Sequence, residues 1–409
     1  MHVAAGEPKK GSERGRIVKP REIRTDVHWV GAVDWDRRLF DSLIPLPDGT
    51  SYNAYLVKGA EKTALLDTVD PSKTGTLLQA LEGTDELDYV VAHHAEQDHS
   101  GSLPVILERN PRAKVLCSPK AVELLQVHLH IAAERLQAVE DGEVLDLGGR
   151  TLRFLHTPWV HWPETMCSFL EEERILFGCD LFGSHLATSD LFADEVDVLS
   201  PAKRYYAEIL MPFRAAVRKS LDKLAALDPA VIAPSHGPLY ERPDFILDAY
   251  RQWVDGAAKN LVVVPYVTMH GSTLALVERL ASRLIEQGIK VERFDLAGAD
   301  LGRLAASLVD AATLVAATPT VLTNPHPLMV SALYLVNSLR PPLKHLSLIV
   351  SYGWATNAVE TAATLTGALK AELIPPVVIK GLPTVEDLRL VDALAAAIGT
   401  RHKDLDLTL

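Results

Sequence analysis

Val90-Val91-Ala92-His93-His94-Ala95-Glu96-Gln97-Asp98-His99-Ser100-Gly101 is the stretch on which the reading of the chain turns. It opens with an apolar, β-branched run, Tyr89-Val90-Val91, of the kind that forms a buried strand. Four metal-capable side chains follow at once: His94, Glu96, Asp98 and His99. In a strand end or tight loop this spacing makes them converge just past the strand. Imidazole and carboxylate together suit a borderline-to-hard divalent metal, and no thiolate is present to favour zinc–thiolate or iron–sulfur chemistry. A polar loop with two helix-capping acids is the plainer reading. The positions of the other histidines and aspartates decide against it.

With 409 residues the chain exceeds one ordinary core, so two domains are expected. Hydrophobic residues at 48% and charged residues at 23% are the balance of a soluble globular protein. A net charge of −12 argues against non-specific nucleic-acid binding. Cys117, Cys167 and Cys179 form no C-x-x-C pair, which fits a reducing cytoplasm. Residues 1–24 are polar and basic, lack the apolar core of a signal peptide, and read as a flexible arm. No window approaches the roughly 18 apolar residues of a membrane span.

Along the first half, Tyr52–Val57 and Thr63–Thr68 read as a hairpin, and Thr76–Leu81 as a short helix before the metal-rich stretch. A helix is expected at Leu103–Leu107 and a strand at Lys114–Cys117. Glu143–His156 reads as a hairpin around Gly148-Gly149, Met166–Leu170 with Arg174–Phe177 as the next, and Val231–Ala233 as the last strand. His161 follows the strand Arg153–His156, Asp180 follows Ile175–Cys179, and His236 follows Val231–Ser235 and precedes Gly237. Each is a His or Asp at a strand end, where a rigid sheet presents loop-borne ligands. Such recurrence within one half points to a shared metal site.

The order H-x-E-x-D-H, then His, Asp and S-H-G resembles the metallo-β-lactamase superfamily, whose hydrolytic members usually carry H-x-H-x-D-H. Glu96 in place of the second histidine is similar to the flavodiiron proteins. So are Asp98-His99-Ser100-Gly101-Ser102-Leu103-Pro104, His161-Trp162-Pro163-Glu164, Phe177-Gly178-Cys179-Asp180-Leu181-Phe182-Gly183 and Pro234-Ser235-His236-Gly237. The resemblance implies an N-terminal αββα sandwich at residues 25–255. It implies two non-haem irons, one on His94, Glu96 and His161, the other on Asp98, His99 and His236, with Asp180 bridging. An added carboxylate makes the site harder, which favours iron over zinc. One departure stands out: many family members have a histidine in an F-H-G stretch, and here Asp41 occupies that region of Leu39-Phe40-Asp41-Ser42-Leu43.

After about Tyr250–Ala258 the pattern becomes alternating strand and helix. Strands are expected at Leu261–Val267, Lys290–Asp295, Thr313–Ala317, Leu346–Ser351 and Glu372–Ile379. Helices are expected at Ser272–Gln287, Leu301–Ala311, Leu328–Leu339, Ala358–Leu369 and Val385–Ile398. Five βα units imply an open, doubly wound parallel sheet over residues 256–409, with any cofactor at the strands' carboxyl ends. The first such end, Thr268-Met269-His270-Gly271-Ser272-Thr273, offers hydroxyls and helix N-terminal amides to an anion. Its spacing is that of neither a dinucleotide fingerprint nor a triphosphate P-loop. It resembles the phosphate loop of flavodoxins. Ala317-Thr318-Pro319-Thr320 and Ser351-Tyr352-Gly353-Trp354 match the two loops that flank the flavin ring there, so the resemblance implies FMN in this domain.

The implied activity is reduction of O2 to water or of NO to N2O, with the diiron centre itself as the catalytic group. The electrons would come from rubredoxin or reduced coenzyme F420, in a head-to-tail homodimer or dimer of dimers. A zinc-dependent hydrolase carrying an accessory flavodoxin-like domain is the alternative. Glu96 and the three flavin loops count against it. Neither the gas nor the donor is chosen by the sequence.

Overall fold

A computed structural model describes residues 19–407. Two mixed sheets face each other in the first lobe. One runs, in spatial order, Arg21–Arg24, Val27–Trp29, Tyr55–Lys58, Thr63–Leu66, Tyr89–Ala92, Lys114–Cys117 and Leu136–Ala138. The other runs Val144–Asp146, Thr151–His156, Met166–Leu170, Ile175–Cys179 and Val231–Pro234. Their inner faces share a core that includes Tyr55, Leu66, Val91, Phe154, Phe177 and Val231. Helices Thr74–Ala80, Leu103–Arg109 and Pro119–Leu129 cover the first sheet's outer face. Glu195–Tyr205, Arg214–Ala225 and Pro243–Asp255 cover the second. The result is an αββα sandwich. Its central strands are apolar on both faces because both are buried, so they lack the alternation of a half-solvated strand.

The second lobe is a parallel sheet in the order Lys290–Asp295, Lys259–Tyr266, Ala311–Val321, His345–Tyr352, then Glu372–Leu373 and Val377–Lys380. Helices Ser272–Ile285 and Val385–Asp404 pack on one face. Leu301–Leu308, Pro327–Leu339 and Ala358–Leu365 pack on the other. This is the flavodoxin-like arrangement, with its reversal of strand order between Lys259–Tyr266 and Ala311–Val321.

Several elements differ from the sequence reading. The stretch taken as an arm does not extend to Arg24: Arg21–Arg24 pairs with Val27–Trp29 and buries Ile23, while residues 1–18 lie outside the described residues. Tyr52 belongs to Thr50–Tyr52, which pairs with Ala32–Asp34, so only Tyr55–Lys58 forms the hairpin with Thr63–Leu66. Glu372–Ile379 is two short strands, because Pro375 and Pro376 offer no N–H to a ladder. The last helix runs past Ile398 to Asp404, started by a Thr384–Asp387 capping box and carrying Arg401, His402 and Lys403 in its final turn.

The lobes are joined by more than the link after Asp255. Arg204 on the first lobe grips Asp300 at the start of Leu301–Leu308, with Nη1–Oδ2 at 2.5 Å and Nη2–Oδ1 at 2.7 Å, and also donates to the Pro45 carbonyl. Lys203 and Lys259 both reach Asp310. Ala305, Val309 and Leu339 of the second lobe sit in the first lobe's outer core.

Candidate metal centre

All seven metal-capable residues singled out in the sequence come from one edge of the sandwich, at or just beyond strand ends. His94 and Glu96 follow Tyr89–Ala92, His161 follows Thr151–His156, Asp180 follows Ile175–Cys179, and His236 follows Val231–Pro234. Asp98 and His99 lie on one buried helical turn, Gln97–Ser100, where the sequence reading had a strand or tight loop. That turn swings them away from His94 and Glu96 towards a second position.

The geometry divides the seven into two groups that meet at Asp180. Glu96 Oε2 is 3.1 Å from His94 Nε2 and 3.1 Å from His161 Nε2. Asp180 Oδ2 stands 3.6 Å from each of the same two nitrogens. On the other side, Asp98 Oδ1 is 3.4 Å from His99 Nε2, and its Oδ2 is 3.2 Å from His236 Nε2. Asp180 Oδ1 completes this group, 3.2 Å from His99 Nε2 and 3.5 Å from His236 Nε2. Donors bonded at about 2.1 Å to one ion, at octahedral or tetrahedral angles, sit roughly 3.0–3.5 Å apart. The spacing is that of edges of two coordination polyhedra sharing one carboxylate.

Electrostatics make the same demand. Both oxygens of Asp98 and Oδ2 of Asp180 are buried without hydrogen-bond partners. An uncompensated buried carboxylate costs several kcal/mol, so the cluster needs cations. Burial disfavours charge on His94, yet its hydrogen bonds to Glu164 and Glu96, with Asp180 beside them, raise its pKa to about 10. His99 and His236 are likewise opposed by burial and lifted to about 10 by Asp98 and Asp180. Asp180 is held well below the ordinary carboxylate range: burial opposes this, and His99, His236 and His94 overcome it. A dense negative field in a dry site suits a pair of divalent or trivalent ions.

The far side of two of the rings is also occupied. His94 Nδ1 donates to Glu164 Oε1 at 2.6 Å, and His236 Nδ1 donates to the Ser51 carbonyl at 2.7 Å, which leaves Nε2 free as a ligand. Tyr205 donates its hydroxyl to Asp180 Oδ1 at 2.7 Å. Glu164 and Tyr205 were given no role in the sequence reading. Glu164 stands three residues after His161 and so had a local signal, whereas Tyr205 has none. Replacing Glu164 by Gln should weaken metal binding about 10- to 100-fold, because the amide lacks the charge that fixes the ring and raises its basicity. Iron titration of the variant against wild type measures it, and unchanged affinity would remove Glu164 from the support.

Asp41 sits exposed at the tip of a small hairpin with φ 49°. Partial burial and then the charges of Glu96 and Asp98 raise its pKa, which places it in the field of the centre's mouth. A buried histidine does lie behind the centre. It is His185, whose ring centroid is 5.1 Å from that of His236 and whose Nδ1 is 2.9 Å from Thr50 Oγ1.

The second lobe's three loops stand together at the sheet's carboxyl edge. Thr268–Gly271 leads into Ser272–Ile285, whose first turn has no side-chain cap, so its amides are available to an anion. Gly271 has φ 86°, which disfavours any side chain, although a Cβ there meets no protein atom within 4 Å. Thr268 Oγ1 accepts from the Gly271 N–H, and Thr273 is buried with Oγ1 2.9 Å from Ser351 Oγ, so neither hydroxyl is wholly free for a ligand. Met269, His270, Ser272, Thr320, Tyr352 and Gly353 line the rim at varying exposure, Pro319 is buried beneath it, and Trp354 is 74% exposed. A large bare indole at this edge is a surface suited to stacking on a planar ring.

A family model described as ODP family beta lactamase matches residues 50–237. The nitric oxide reductase of Moorella thermoacetica is 35% identical over 398 residues, 94% of this chain and all of that one. The coenzyme F420H2 oxidase of Methanothermobacter marburgensis is 34% identical, over 75% of this chain and 79% of that one. Among solved structures, the rubredoxin oxygen:oxidoreductase of Desulfovibrio gigas superposes with a TM-score of 0.92 at 29% identity, covering 95% and 100% of the two chains. The flavodiiron protein of Giardia intestinalis does so at 0.87 and 27%, covering 98% of each. With a relative 35% identical over 94% of its length and flavodiiron structures that superpose on both lobes, the chain belongs to the flavodiiron protein family.

Proposed function

We propose that this protein is an oxidoreductase that reduces O2 to water, NO to N2O, or both, at two irons held by His94, Glu96, His161, Asp98, His99 and His236 with Asp180 between them. The observation that carries the reading is Asp180: one carboxylate turns its two oxygens to two separate donor groups, one of which contains Glu96. When bound, the iron pair supplies redox equivalents and open positions for a diatomic gas, and FMN supplies further electrons.

The chain's own residues do the rest. Glu96 and Asp180 set the negative charge that favours ferrous and ferric iron over zinc. Glu164 and the Ser51 carbonyl hold the His94 and His236 rings so that Nε2 faces inward. Burial of five of the seven residues, with His161 and Glu96 only partly exposed, keeps bulk water from the centre. In the second lobe, the uncapped amides after Gly271 would hold the FMN phosphate, and Trp354 would cover the ring.

Electrons would come from rubredoxin or reduced F420, the donors in the names of two similar proteins. The assembly would be a head-to-tail homodimer or a dimer of dimers, in the cytoplasm. No helix among the described residues is long and apolar enough to cross a membrane. The test is anaerobic reconstitution followed by metal and flavin analysis, with turnover of both gases measured against each donor. Two irons and one FMN per chain with gas consumption are expected. Zinc without flavin, and no gas consumption, would favour the hydrolase alternative.

Replacing Glu96 by His recreates the hydrolase-type H-x-H-x-D-H motif. Occupancy should shift from iron towards zinc, and gas turnover should fall at least about tenfold. Metal content after growth with both metals reads it directly. Full iron with full turnover would show that the carboxylate does not select the metal.

A further inference from the structure

Between the lobes lies a cavity of about 290 Å³ with His161 on one wall. Leu43, Ile44, Phe213, Leu301 and Leu335 make most of its surface apolar. One acid breaks that lining, Glu208. It sits on a single π-helical turn, Tyr206–Leu210, a local widening found mostly at functional sites. Its side chain is 6% exposed, and neither carboxylate oxygen has a hydrogen-bond partner.

Its one cationic neighbour is shared with other groups. Arg204, one turn earlier, brings Nε within 3.2 Å of Oε1, while its Nη1 and Nη2 hold Asp300 through two hydrogen bonds and the Pro45 carbonyl through a third. Asp300, at the start of the facing helix, adds like charge, and Arg303 on that helix is held over Phe294. The hairpin at Ile44–Pro45, the turn Met211–Phe213 and the helix Pro327–Leu339 bring no charged group into the lining. His161 is the remaining titratable group there.

Two carboxylates thus share one cation. Burial first, then Asp300, raises the Glu208 pKa to about 7, with Arg204 only partly opposing. Reduction of one O2 to two waters takes up four electrons and four protons. Joining two NO into N2O and water takes up two of each. The electrons come from the external donor. The protons must reach a site walled off from bulk water, and a cavity of this size holds on the order of ten waters.

We propose that Glu208 is the proton-relay residue of this protein, loading from solvent between the lobes and passing protons through cavity water to the side of the metal centre that carries His161. The proposal rests on the gas-reductase reading. Glu208 donates below about pH 7 and is spent above it, so turnover should decline as pH rises through about 7.

The experiment compares the wild-type holoenzyme with Glu208→Gln and Glu208→Asp across that range. Glu208→Gln should turn over about 10- to 100-fold more slowly, without the inflection near pH 7, at unchanged iron, flavin and melting temperature. Glu208→Asp should recover part of the rate and keep an inflection. Independently of turnover, infrared difference spectra should show a buried carboxylic-acid band that titrates near pH 7 and is missing in Glu208→Gln. Wild-type rate and inflection in Glu208→Gln would overturn the proposal. So would a loss of rate that merely follows lost iron or flavin. A wild-type holoenzyme that reduces neither gas would instead overturn the functional reading beneath it, whatever Glu208 does.

Discussion

Asp180→Asn should leave a folded, flavin-bearing protein whose iron falls from about two per chain to well below one, with gas turnover lowered at least about a hundredfold. The reason is positional. Oδ2 of Asp180 faces His94 and His161, and Oδ1 faces His99 and His236, and no other carboxylate among the described residues is shared in this way by both groups. An amide turns a weakly ligating oxygen to one ion and an N–H2 to the other, and it removes the charge that offsets the pair. It also disrupts the hydrogen bond from Tyr205. Loss of Asp98, which meets only His99 and His236, should cost one ion first. Iron analysis with paired turnover assays decides the matter, and Asp180→Asn protein with wild-type iron would exclude the bridge.

An equally large effect is expected on mixing two inactive variants. His161→Ala removes a donor from one iron. Gly271→Trp puts a side chain on the flavin loop where φ is 86° and no protein atom stands within 4 Å, so it should block the phosphate without repacking the lobe. In a head-to-tail dimer, a mixed pair keeps one intact flavin facing one intact metal centre across a self-complementary interface. Random subunit exchange makes half the dimers mixed, each with one of two sites working, so activity should return to about a quarter of wild type. Flat inactivity after verified exchange would place electron transfer within one subunit.

Much of this protein could be read from its sequence because its chemistry sits on short loops after apolar runs. His94, Glu96, Asp98 and His99 are neighbours in sequence and in space, and Asp180 and His236 each follow an apolar strand. The parallel lobe was legible for a related reason: Leu276, Leu280 and Leu284 repeat at helical spacing and pack on the sheet. Features that depend on tertiary approach were not legible. Tyr205 and Glu208 lie in helical segments and His185 in an irregular loop, all with an ordinary local pattern, and only the folded chain brings them to the centre or the cavity. The broken last strand was misread because Val377-Val378-Ile379 looks continuous with Leu373-Ile374 until two prolines are placed in a hydrogen-bonded ladder.

The shared edge on which four strand ends deliver the ligands has a mechanical meaning as well. His94 belongs to a loop of the first sheet, and His161, Asp180 and His236 belong to loops of the second. Ions bound there are cross-links between the two halves of the sandwich, closing a chain segment that runs from His94 to His236. Closure of so long a segment restricts the unfolded chain strongly, so each ion contributes to keeping the sheets in register as well as to chemistry. The metals are rivets at the open seam, and the seam cannot gape while they are in place.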